Sequence, residues 1–174
     1  MTVIDNEVVY IYPKDKYFTV YLRPRDYKQI NKDVFYMYKE LNSNIETCEF
    51  EGSSADNEWN EVACDFAGDC LDAFTEEDWK VLFQELPNKT TLWKKRFNDL
   101  LINPEDPNQQ KALLFLAGTD DLDLFVRVLE NLSELEDIHE VEGYDQLCEK
   151  AIKILPDLDV IHQMRVNDFL KKER

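Results

Sequence analysis

The stretch KALLFLAGTDDLDLFVRVLENL, residues 111–132, decides how the chain is read. Leu113 and Leu116 before Gly118, and Leu122, Phe125, Val126, Leu129 and Leu132 after it, recur at steps of three and four, the period of an amphipathic helix. Gly118 suits a helix end, and Asp120 or Asp121 suits the cap of the next helix. The stretch therefore reads as helix, short turn, helix. Further along, KAIKIL at 150–155 repeats KALLFL at 111–116 with an offset of 39, and PDLDVI at 156–161 repeats DDLDLF at 120–125 with an offset of 36. The slip falls in the turn between helices. Residues 75–101 have the same two-helix shape with a fainter sequence echo. Three stacked pairs meet the usual minimum for a short array of HEAT-like style.

Working outward, Thr75 with Asp78 resembles a capping box with Asp in the acidic place. It opens a helix with Trp79, Leu82, Phe83 and Leu86, closed by Pro87. Thr90 or Thr91 caps the next, and Asp106 followed by Pro107 at the first helical position caps another. Residues 144–155 and 157–172 supply the last two, separated at Pro156. On the N-terminal side, Trp59, Val62, Ala63, Phe66, Cys70 and Phe74 mark a helix over 57–73. Residues 8–13 and 17–23 are β-branched and aromatic runs, read as a hairpin. A helix is expected over 26–41, with a strand over 34–38 as the alternative there, and a third strand over 45–51, before the Gly52-Ser53-Ser54 break. The expected class is α+β, mostly α. A small α/β region over 1–55, with a β-hairpin, precedes a helical bundle or short HEAT-like array over 56–174, packed as one domain.

Charge narrows the function. The 174 residues hold 37 acids and 20 bases, a formal charge of −17. Such a surface repels phosphate backbones and anionic membranes, which argues against direct nucleic-acid or membrane binding. The excess is uneven: residues 40–79 contain 13 acids and no Lys or Arg. On a helical projection Glu58, Glu61, Asp65, Asp69 and Asp72 fall within about 80° of one another, a single stripe beside the apolar face. A second cluster runs through Glu134, Glu136, Asp137, Glu140 and Glu142, continuing to Asp145 and Glu149. A third, Asp120, Asp121 and Asp123, sits where Asp stabilises a helix start, and its expected role is structural.

Catalytic motifs are missing from the sequence. His139 and His162 have no partner at metal-ligand spacing, and there is no phosphate-binding loop or nucleophile elbow. No enzyme activity, cofactor or metal is expected. The N-terminus has no basic and apolar leader, and no apolar run approaches the ~18 residues of a membrane span. Cys48, Cys64, Cys70 and Cys148 form no C-x-x-C pair and read as free thiols of a reducing cytoplasm. An acidic protein of this kind is expected to work by charge on a basic protein, as a monomer, through the first two acidic clusters.

The segment NPEDPNQQKALLFLAGTDDLDLFVRVLENL, residues 103–132, resembles the acidic helical parts of bacterial polymorphic-toxin immunity proteins of the contact-dependent inhibition type. The resemblance extends over 103–170 and rests on helix grammar, so it transfers no binding residue. It implies a cytoplasmic, non-enzymatic inhibitor of a cognate toxin domain, nuclease-like in kind. The alternatives are a DNA mimic with an anti-defence role, blocking DNA-binding proteins, and a helical-repeat adaptor.

Overall fold

The computed structural model describes backbone at residues 2–4, 7–14 and 17–21, and backbone with side chains at 37–47, 59 and 63–172. Of the residues with described side chains, 78% are helical and none lies in a strand. The fold is a helical bundle. This corrects the expected α+β class with its N-terminal β-hairpin region. The N-terminal backbone carries three short antiparallel strands, β1 (Thr2–Ile4), β2 (Glu7–Lys14) and β3 (Tyr17–Tyr21), in the order β1-β2-β3. The described core, however, is built by helices and the connections between them, with no strand residue in it. Strand propensity in a run of residues does not make that run a layer of the core. Of the helix expected over 26–41, residues 26–36 lie outside the described residues and 37–41 are helical.

The chain divides into two compact units, Met1–Val81 and Leu82–Arg174. In the first, α1 (Met37–Thr47) packs on α2 (Cys64–Asp72). The expected strand at 45–51 fails where it can be checked: Ile45 is in α1. Met37, Tyr38, Leu41 and Ile45 are spaced for a helix face and all are buried, whereas alternation would have turned Tyr38 to the face opposite the other three. They meet Ala67, Cys70 and Leu71 of α2, also buried. Burial pushes the Cys70 thiol up to about 12, with Glu40 and Asp69 adding to the effect. α3 (Glu76–Glu85) starts at the expected capping box. Thr75 donates through N (3.0 Å) and Oγ1 (2.5 Å) to Asp78 Oδ2, and Asp78 N donates back to Thr75 Oγ1 at 3.3 Å. The other carboxylate oxygen of Asp78 accepts the Tyr38 backbone N–H at 3.1 Å, so this buried acid also ties down the start of α1.

The second unit contains α4 (Thr91–Leu100), α5 (Pro107–Leu116), α6 (Leu122–Leu132), α7 (Tyr144–Ile154) and α8 (Val160–Lys171). Its caps are local chemistry. Thr90 caps α4. Asp106 accepts from Asn108 and Gln109 at the start of α5, with Pro107 at its first position. Asp121 accepts from Leu124 at the start of α6, and Asp159 from Ile161 and His162 at the start of α8. Gly143, at φ +86°, makes the left-handed turn into α7, a conformation costly for any side-chain-bearing residue. α6 is the central element: it packs against α4, α5 and α8, and Leu124, Phe125, Val126, Val128, Leu129 and Leu132 are buried on it. Fully burying such side chains stabilises by about 1.5–3 kcal/mol each.

The two copies keep the order helix, turn, helix, but their caps are shifted from the alignment read in sequence. Aligning DDLDLF with PDLDVI gives 36, whereas the caps Asp121 and Asp159 stand 38 apart. In the second copy Asp157 lies in a 3-10 turn, Leu155–Asp157, and the cap falls two residues later.

Candidate functional site: an acidic concavity

Residues 133–143 join α6 to α7 through turns and a short 3-10 helix, Ile138–Glu140. Leu135 and Ile138 are buried and pin this connection to the bundle. The residues between them are turned outward. The result is an open concavity of about 660 Å³ lined by Glu134, Glu136, Asp137, Glu140 and Glu142, by Leu135 and Val141, and by Glu105 and Gln110 from the start of the α5 region. Among the described residues, no Lys, Arg or His lies within ion-pair distance of any of these six carboxylates. Five of the seven residues of the second sequence cluster therefore face one space, and Asp145 and Glu149 are not among its lining residues. Glu105 joins the five, and nothing in its local sequence, in the turn before Asp106-Pro107, links it to residues 134–142.

The first cluster is only partly visible. Asp65, Asp69 and Asp72 lie on one exposed side of α2, while Glu58 and Glu61 fall outside the described residues. α2 begins at Cys64, so the described helix carries three of the five carboxylates.

The third cluster does different work. Asp121 and Asp123 both receive Lys95 of α4 at 3.0 Å. Asp123 also receives Arg127 Nε at 3.2 Å and His162 Nε2 of α8 at 3.3 Å, while His162 Nδ1 meets Asp159 at 2.6 Å. Partial burial acts to raise the Asp123 carboxyl, but Lys95, Arg127 and His162 overcome it and hold the group down at about 2. His162 is raised, chiefly by its hydrogen bond to Asp159 and then by Asp123. These acids lace α4, α6 and α8 together.

A further regularity went unread in the sequence. The sixth residues of α4, α6 and α8 are Arg96, Arg127 and Arg165, and the ninth are Asp99, Glu130 and Asp168. Each later arginine reaches back to the ninth residue of the preceding one of these helices. Arg127 meets Asp99 at 3.5 Å, and Arg165 Nε meets Glu130 at 3.0 Å. RFND (96–99), RVLE (127–130) and RVND (165–168) were the signal that would have found it.

Among the described residues, no group of three or more His, Cys, Asp or Glu is placed to hold a metal ion, and no helix is long and apolar enough to cross a membrane. Cys64, Cys70 and Cys148 are in no disulfide. The concavity offers negative charge and a shallow apolar floor at Leu135 and Val141. That arrangement suits cationic side chains. Comparison with known proteins finds no matching family model, curated protein or solved structure.

Proposed function

We propose that this is a non-enzymatic acidic binding protein of the cytoplasm that neutralises a basic protein partner, as an immunity protein does for a cognate toxin domain. The observation that carries this reading is the concavity of six carboxylates with no Lys, Arg or His within ion-pair distance among the described residues. A cleft lined by one sign of charge focuses its field and speeds the arrival of an oppositely charged partner. Close charge pairs across such an interface are then worth about 1.5–7 kcal/mol in coupling. The exposed Asp65, Asp69 and Asp72 add further surface carboxylates in the first unit.

The test is affinity capture from the source organism's lysate at low salt, read by mass spectrometry through a salt series. Wild type is compared with a Glu134→Lys, Glu136→Lys, Glu140→Lys variant. One dominant basic protein, held through moderate salt by wild type and lost by the variant, supports a dedicated inhibitor and supplies the activity to assay. Several DNA-binding proteins shed together as salt rises would favour a DNA mimic instead. Equal capture by both forms of the protein would remove the concavity from the argument. The arginine ladder favours a second reading, an adaptor with a helical-repeat face.

A further inference from the structure

α6 and α8 begin with the same cap and carry the same arginine-to-acid spacing, yet their surroundings differ. The fifth residue of α6, Val126, is 0% exposed, and that of α8, Met164, is 62% exposed. Val160 and Ile161 beside it are 72% and 63% exposed. The ninth residue of α6, Glu130, receives Arg165 from α8, which packs on α6. The ninth residue of α8, Asp168, meets only the exposed Lys171 of its own helix among the described residues, at 2.8 Å. An exposed pair of that kind is worth about 0–1 kcal/mol and exchanges readily. The outer side of α8 thus repeats the acid that α6 uses to receive a helix, beside an apolar patch that nothing described covers.

We infer that the outer face of α8 docks an amphipathic helix of a partner protein, which lays an apolar side chain on Met164 and Ile161 and directs an arginine or lysine to Asp168, as α8 itself docks on α6. The argument is the continuity of the α4–α6–α8 ladder and its charge complementarity, and it does not depend on the acidic concavity. In a folded second copy, the inner face and Arg165 of α8 are already engaged with α6, so that helix of another copy is not the occupant.

The experiment uses the full chain and a fluorescent peptide copy of residues 159–172, lactam-bridged between positions 160 and 164 so that it is helical without the bundle. Fluorescence anisotropy is expected to give saturable binding. Asp168→Lys and Met164→Glu, both at exposed positions, should each weaken it at least tenfold while leaving the melting curve of the protein unchanged. Reversing the peptide charge, Arg165→Glu, should restore binding to Asp168→Lys and abolish it for wild type. No saturable binding, or equal affinity for wild type and both variants, would overturn the proposal. So would concentration-dependent dimerisation abolished by Met164→Glu, which would assign the face to a second copy. Intact peptide binding alongside a failed concavity test would leave this inference standing alone.

Discussion

The second unit contains two sets of carboxylates that a charge count treats alike. Asp121, Asp123, Asp159, Asp99 and Glu130 are each engaged by a cation or a helix amide from a neighbouring turn or helix. Glu105, Glu134, Glu136, Asp137, Glu140 and Glu142 line a concavity and form no ion pair among the described residues. The first set is part of how the helices hold together. The second adds to the formal charge of −17 without a structural return, which is why it is the set expected to meet a partner. The difference between them is position relative to helix starts and neighbouring helices, not residue type.

The comparison can be broken most severely at a structural acid in the first unit. Asp78→Ala removes the reciprocal cap of α3 and the hydrogen bond that the buried Asp78 carboxylate accepts from the Tyr38 N–H. A lost cap costs about 1 kcal/mol and a lost hydrogen bond to a charged group about 1.5–3 kcal/mol. Urea denaturation should show a loss of about 2–4 kcal/mol, and a loss below 1 would mean that this acid is dispensable. Asp123→Asn should cost about 1–2 kcal/mol, since three part-exposed cations lose their shared anion.

The same network predicts a pH dependence. Asp123 titrates at about 2 when folded against an ordinary 3.8, so its stabilisation is complete above 3.8 and is lost as pH falls towards 2. His162 is raised above its ordinary 6.5, so its stabilisation is complete below 6.5 and is lost as pH rises through the higher folded value. The second unit should therefore be most stable between about pH 4 and 6.5. His162→Gln should remove the loss above pH 6.5, about 0.5 kcal/mol for part-exposed pairs. Thermal melts across pH for wild type and variant decide this, and an identical slope above 6.5 in both would assign the dependence elsewhere.

The smallest effect should fall on the other set. Glu136→Gln with Glu140→Gln should leave stability within about 0.5 kcal/mol of wild type, because no described partner is lost. A larger fall in the same urea titration would show these acids to be structural after all, and the contrast would collapse.

What was legible in the sequence was local chemistry. Thr75–Asp78, Thr90, Asp106–Pro107 and Asp121 were readable as helix starts because a cap is decided within four residues. The acids of residues 134–142 were readable as a group because the chain keeps them close in sequence, whereas Glu105 reaches the same space from another segment. Class and register were less legible. Ile45 sits in an alternating run and belongs to a helix, because its partners Leu41, Tyr38 and Met37 lie on the other side of it in sequence. The DLD match at 121–123 and 157–159 pulled the repeat two residues out of register, since a recurring Asp does not say which copy caps the helix. The arginine ladder stayed hidden because its rungs join residues 28 and 35 apart, beyond any local pattern.

Cys70 sits buried between α1 and α2 with its thiol pushed up to about 12. Only the thiolate attacks a disulfide reagent, so at neutral pH the closed helix pair leaves Cys70 almost silent. It answers when α1 lifts away from α2 and water reaches the sulfur. In a chain with Ser at the other cysteines, its rate of labelling becomes a stopwatch for opening of the first unit, kept by an atom on which the binding surface makes no claim.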